Sequence, residues 1–158
     1  MKNKRPQIER ISHIGRTAIG SIRAKPIIDI LVEVSKNHRL ADYKDLIVES
    51  GYICMSETAS RISFNKGYTE KGFAEKVFHL HLRHGGDNDE LYFRDYLMEH
   101  ADTAREYEKL KLSLWKQYEH NRDGYTSAKT DFVQMYTEKA KLEYGNRYQI
   151  AAFQNGGR

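Results

Sequence analysis

The chain has 158 residues, 39% hydrophobic and 30% charged, with a formal net charge of +4 and a single cysteine, Cys54. This length supports one domain with a real core, and one cysteine rules out an internal disulfide. No apolar run approaches the roughly 18 residues of a bilayer span, and no apolar segment follows the basic start at residues 1–5, so neither a membrane protein nor a secreted one is expected and the cytoplasm is the default location.

Residues 8–14 alternate imperfectly between apolar and polar and predict a first strand. Residues 27–34 are almost wholly aliphatic, interrupted by Asp29 and Glu33, and predict a central strand. Leu40, Tyr43, Leu46 and Ile47 have helical spacing, and Gly51 stops that helix. Short strands follow over 52–56 and 61–65 around a polar turn, with Cys54 on the first as a small core residue rather than a nucleophile. Residues 77–83 give the cleanest strand, placing Val77, His79, His81 and Arg83 on one face and Phe78, Leu80 and Leu82 on the other. After Gly85-Gly86 the period becomes helical. One helix is expected over 89–99. A second carries the stripe Ala104, Tyr107, Leu110, Leu114 and Tyr118, and a third carries Tyr125, Ala128, Phe132, Met135 and Ala140 and ends near Gly145. Strands first and helices later make an α+β domain over 1–158, a mixed β-sheet of about five strands with helices largely on one side. The ends, 1–7 and 154–158, are expected to be flexible.

The charge is uneven. The first 26 residues hold seven basic side chains and one acidic one, so the rest of the chain is slightly acidic. The basic excess surrounds Gly15, where a strand ends shortly before a second strand carries Asp29 outward between isoleucines. Glycine lets a backbone approach a phosphate closely, and a strand-end carboxylate can hold the accompanying metal. The competing reading is a solvated basic end. Nucleic-acid binding is not expected, because no basic stripe continues along the chain. His79 and His81 on one strand face stand about 6.6 Å apart and can converge on a metal or a phosphate, or merely hydrogen-bond beneath a helical layer. His84 and Asp87 are further ligand candidates in the following loop. Lys25 beside Asp29 is either a phosphate ligand or a solvated lysine, and Lys129, one turn from Tyr125, can project toward a ligand. Arg94 can reach a site at the sheet edge or pair with Glu90 or Glu99. Arg61 and Lys66 read as ordinary surface charges.

Several blocks carry a family resemblance. His13-Ile14-Gly15-Arg16-Thr17, Ala24-Lys25-Pro26-Ile27-Ile28-Asp29-Ile30, His79-Leu80-His81-Leu82 and Leu91-Tyr92-Phe93-Arg94-Asp95-Tyr96-Leu97 resemble, in that order, the GrpB family. Ala104, Tyr107, Leu110 and Lys111 are similar to its A-x-x-Y-x-x-LK stretch, and Tyr125 and Lys129 to its closing Y-x-x-x-K pair. The resemblance runs from about Ile8 to Ala140. It implies a nucleotidyltransferase-like domain, found fused to dephospho-CoA kinase in some bacteria. It also implies a nucleotide as substrate or ligand and Mg²⁺ or Mn²⁺ as cofactor. Gly15, Arg16, Thr17, Lys25 and Lys129 would then meet the phosphates, while Asp29, His79 and His81 would serve as catalytic and metal residues.

The departures narrow that expectation. Arg16 stands where the family usually has serine, which replaces a hydroxyl by a charged fork for phosphate. Ile19-Gly20-Ser21-Ile22 replaces V-P-G-L, and the sequence starts almost at the first strand where the family usually has a helix ahead of it, so either the helical layer is incomplete or the start is misplaced. Nucleotidyltransferases carry D-x-D on one strand, but Leu31 follows Asp29 at that spacing. Glu33 shares the face of Asp29 at about 13 Å, too far for metal ions about 3.5–4 Å apart. Glu57, His79 or His81 would have to supply the second ligand. Two functions therefore stand side by side: metal-dependent nucleotidyl transfer to an unnamed acceptor, and a non-catalytic domain that binds a nucleotide or CoA-like phosphate or a protein partner. The oligomeric state, a homo-oligomer included, is left open.

Overall fold

A computed structural model describes residues 7–15, 18–19, 27–69, 72–117 and 119–149. Arg16, Thr17 and Lys25 lie outside the described residues, as do 20–22 and all of the expected flexible ends except Gln7. The chain divides into two compact units. One comprises Met1–His13, Pro26–Asn88 and Arg147–Arg158, the other Ile14–Lys25 and Asp89–Asn146.

The first unit holds five strands, β1 (Ile8–Ile14), β2 (Ile27–Val34), β3 (Ile53–Glu57), β4 (Arg61–Thr69) and β5 (Gly72–His84). They form one sheet in the order β1-β2-β5-β4-β3. β2 and β5 run parallel with Asp29 opposite His79 and Leu31 opposite His81. β5 is antiparallel to β4, and β4 to β3, so the sheet is mixed as expected. Alternation along the strands gives the sheet two different faces. Val32, Val34, Ile62, Phe64, Leu80 and Leu82 bury one face against Leu40 and Tyr43, with Ile30, Ile47, Tyr52 and Cys54 packed around them. Cys54 is thus a half-buried neighbour of the core, as its sequence setting suggests.

The opposite face mixes polar side chains with apolar ones such as Leu31 and Val77, and sheet register arranges it in ranks. Asp29, His79 and Asn65 form one rank; Leu31, His81 and Ser63 the next; Glu33, Arg83 and Arg61 the third. The first and second strands have the expected bounds. β4 and β5 extend well beyond 61–65 and 77–83 into one long hairpin, pairing Lys66 with Phe78 and Thr69 with Gly72. The sequence hides this extension because its side chains do not alternate and Gly67 interrupts it. At Gly67 the backbone has φ +104°, and the pairing shifts between Lys66 and Tyr68, which is a bulge rather than a stop. The helix expected over 40–50 is a 3₁₀ turn, Leu40–Tyr43, followed by α1 (Lys44–Glu49). Tyr43 sits at the joint, its hydroxyl accepting the Gln7 N–H at 2.9 Å and meeting His38 Nδ1 at 2.9 Å, so tertiary bonds fix the place where a continuous helix would run.

The second unit holds α2 (Asp89–Glu99), α3 (Ala101–Gln117) and α4 (Arg122–Tyr144). Asn121 caps α4 by accepting the Gly124 N–H at 3.0 Å, and Gly145 ends it at φ +58°. Ile19, Phe93, Leu97, Ala104 and Tyr107 form the core, with Phe132, Val133 and Tyr136 packed on it. Phe93 meets Tyr107 edge-on at 5.2 Å, and Tyr107 stacks on Phe132 at 5.2 Å. Met135, expected in the buried stripe, is 45% exposed, because Val133 and Tyr136 take the core-facing positions instead. No helix among the described residues is long and apolar enough to cross a membrane.

Candidate functional site

Two constellations emerge, one in each unit. The first lies on the Asp29 face of the sheet. Parallel pairing brings Asp29 and His79 into register, and His81 follows one rank on. Asp29 Oδ1 lies 3.2 Å from His81 Nε2 and 3.6 Å from His79 Nδ1. The three side chains are 27%, 27% and 28% exposed, so all are reachable yet partly shielded. A carboxylate bound to one ring nitrogen fixes the imidazole tautomer and leaves the other nitrogen as acceptor. The structure therefore unites Asp29, His79 and His81, with Asn65 and Ser63 beside them in register. Sequence reasoning missed those two neighbours. Only the β4–β5 pairing, which no local pattern announces, could have revealed them.

The remaining ligand candidates go elsewhere. Glu33 is fully buried, accepting from Asn88 Nδ2 at 2.8 Å, from the Gly86 N–H at 3.1 Å and from Arg10 Nη1 at 3.1 Å. Glu57 accepts from Lys44 Nζ at 2.7 Å, and that hydrogen bond holds the Lys44 ammonium above the ordinary lysine value. His84 faces the opposite side of β5 from His79 and His81 and donates Nε2–H to the His38 carbonyl at 2.9 Å. Asp87 is gripped by Arg61, through Nε at 3.1 Å and Nη2 at 2.9 Å. Leu31, at the D-x-D position, is wholly buried. Among the described residues no group of three or more His, Cys, Asp and Glu is arranged to hold a metal ion. The Asp29 face thus offers one carboxylate and two imidazoles, whereas a magnesium centre is built from oxygen donors. The donor set does not fit a two-magnesium site.

The second constellation is a cavity of about 290 Å³ in the helical unit. Ile14, Ile19, Phe93, Tyr107 and Val133 give it an apolar lining, and Gly15, Arg94, Lys129 and Thr137 add polar groups. Asp89 and Glu90 complete the rim. Gly15 has φ +78°, a conformation that favours glycine, and its carbonyl accepts the Ala18 N–H at 3.2 Å. Arg94 Nε donates to Asp95 Oδ1 at 2.9 Å, the guanidinium folding back along its own helix. Asp89 pairs with Lys141 at 2.5 Å. Gly15 and Lys129, far apart in sequence, line the same cavity.

Comparison with known proteins agrees with this architecture. The family model described as GrpB protein matches residues 2–139. The UPF0157 protein YqkA of Bacillus subtilis is 32% identical over 139 residues, which cover 86% of this chain and 40% of that protein. The glutamate-rich protein GrpB of Alkalihalophilus pseudofirmus is 34% identical over 134 residues, covering 80% of this chain and 76% of that one. The crystal structure of the conserved protein GrpB from Enterococcus faecalis matches with a TM-score of 0.68 at 27% identity, over 87% of this chain and 83% of that chain. The chain thus spans less than half of the first of these relatives and about three quarters of the second. A family model that matches residues 2–139, most of the chain, together with a solved GrpB structure of similar fold, makes the chain a member of the GrpB family.

Proposed function

We propose that this GrpB-family chain binds a small phosphate-bearing molecule, a nucleotide or a CoA-like compound, without two-metal nucleotidyl transfer. The observation behind this reading is the meeting of Gly15, Arg94 and Lys129 at one cavity floored by Phe93 and Tyr107. A flat heterocycle packs on aromatic side chains, while an ammonium, a guanidinium and a closely approaching glycine backbone suit a phosphate. The cavity is close in size to the small end of ligand pockets, about 300 Å³. Metal-dependent transfer needs a second carboxylate beside Asp29, and Glu33 and Glu57 are both held in other bonds.

A nucleotidyltransferase is the second reading, favoured by the approach of Asp29 to His79 and His81. A thermal-shift screen of nucleotides and CoA precursors, with and without Mg²⁺ or Mn²⁺, separates the two. It is run on wild type, Asp29→Ala and Lys129→Ala. The binding reading expects stabilisation without metal that survives Asp29→Ala and is lost in Lys129→Ala. A ligand at a hundredfold excess over its dissociation constant stabilises by about 2.7 kcal/mol, well within range of the assay. Stabilisation that requires metal and vanishes in Asp29→Ala would overturn the proposal in favour of transfer.

A further inference from the structure

The sheet unit has a second cavity, about 560 Å³, that plays no part in the function proposed above. It opens where the two parallel strands end, since Lys36 follows β2 and His84 is the last residue of β5. Ligands of open sheets with parallel strands gather outside the carboxyl ends of those strands. Its wall carries groups that donate to anions, Lys36, Asn37, His38 and Arg39, beside His84.

The hydrogen bonds leave these donors available. His84 Nε2–H is given to the His38 carbonyl at 2.9 Å, which makes the Nδ1 of the neutral ring an acceptor and not a donor to an anion. His38 uses Nδ1 against the Tyr43 hydroxyl at 2.9 Å, which leaves Nε2. Each ring is thereby oriented by the protein through one nitrogen. Lys36 makes no ion pair among the described residues. Among the described residues Arg39 is bound only by an exposed pair with Asp42 at 3.1 Å, a weak contact that an incoming anion displaces readily. The one carboxylate in the wall, Glu57, is neutralised by Lys44 at 2.7 Å.

From this convergence we infer that the cavity at the carboxyl ends of β2 and β5 is an anion site for a phosphate dianion, free or as the end of a monoester. Lys36 and Arg39 supply the charge, and the His38 imidazole, held through Nδ1 by the Tyr43 hydroxyl, supplies a directed hydrogen bond through Nε2–H. Sequence patterning gives no hint of the site, because Lys36 and His84 lie far apart in the chain and meet only through the β2–β5 pairing.

The test is a titration of the full chain with inorganic phosphate and, separately, phenyl phosphate, at constant pH and ionic strength, followed by amide NMR. Saturable shifts confined to Asn37, Ala59 and their neighbours are expected, weakened about tenfold or more in the double variant Lys36→Ala/Arg39→Ala. Both side chains are exposed, and unchanged peak dispersion elsewhere verifies folding. His38→Ala removes the Nε2–H donor, and it is expected to weaken binding too. Lys129→Ala is expected to leave this titration unchanged. Tighter binding of phenyl phosphate assigns the site to monoesters, and equal binding assigns it to phosphate itself. Shifts that fail to saturate, that chloride reproduces, or that persist undiminished in the double variant would overturn the inference.

Discussion

Glu33 provides the most direct test of how the sheet face is held. Its Oε1 accepts from Asn88 Nδ2 at 2.8 Å and from the Gly86 N–H at 3.1 Å, and its Oε2 accepts from Arg10 Nη1 at 3.1 Å. Asn88 and Arg10 also reach the Tyr148 carbonyl, at 2.8 and 3.3 Å, so one buried carboxylate organises three separate stretches of chain. Glu33→Gln keeps the shape and, with its oxygen on Asn88 and Gly86, turns an amide NH₂ toward Arg10 Nη1. Donor then faces donor. Loss of one hydrogen bond to a charged group costs about 1.5–3 kcal/mol, and the lower end applies because Arg10 can turn to water. The Arg10 side chain is 27% exposed, which allows that escape. Glu33→Ala removes the carboxylate from all three donors at once. It should cost about 3–5 kcal/mol, as expected when one partner of a buried pair is deleted. Urea unfolding followed by circular dichroism, with hydrogen exchange of the Gly86 amide as a local probe, measures both. If Glu33→Ala cost under about 1 kcal/mol, or if the two variants were equal, the carboxylate would not be the organiser described here.

Other perturbations are equally specific. An alanine Cβ at Gly67 would lie 2.4 Å from the Lys76 carbonyl oxygen, at φ +104°, whereas at Gly145 it would meet nothing within 4 Å. Gly67→Ala should therefore cost about 3 kcal/mol or more and Gly145→Ala about 1–2 kcal/mol, and similar melting temperatures for the two would contradict the bulge geometry. Burial pushes the Tyr52 phenol above its ordinary value, so the folded chain keeps this proton where the unfolded chain loses it. That stability is complete below pH about 10 and declines as pH rises beyond it; Tyr52→Phe should flatten the decline in alkaline melts, and parallel slopes would count against it. Burial also raises Tyr136, so part of the alkaline loss should remain in Tyr52→Phe. Leu31→Asp, which writes D-x-D onto β2, places a carboxylate at a fully buried position and should lower stability by about 3–5 kcal/mol, and an unchanged melting temperature would show that this position tolerates charge.

Much of the fold is legible in the sequence where one side chain period persists. β1, β2 and α2 lie where the sequence places them, β1 by its imperfect alternation, β2 by its aliphatic run and α2 by the change to a helical period after Gly85-Gly86. The long hairpin is not legible. Residues 66–69 and 72–76 alternate poorly, so backbone pairing between β4 and β5 rather than side-chain patterning makes them strand. Of the site, the facing of His79 and His81 follows from strand period alone, but their approach to Asp29 depends on a parallel register that no local signal encodes. The fate of Glu33 was half visible. Strand spacing separates it from Asp29, while its burial beneath Asn88 and Arg10 is a tertiary fact. Lys129 and Gly15 share a cavity only because three helices fold over one aromatic cluster.

The β2–β5 pairing also sets an order of events in folding. β4 and β5 are neighbours in the chain, and hairpins of this kind close within microseconds. His81 and Asp29 lie 52 residues apart, so their meeting waits on a long chain closure whose entropy must be overcome before any contact rewards it. Until β2 arrives, β5 presents an open edge with Leu80 and Leu82 on one side and the two histidines on the other, the kind of edge that recruits stray strands. Asp29 beside its imidazoles is therefore a mark of maturity, present only in a chain whose sheet has closed.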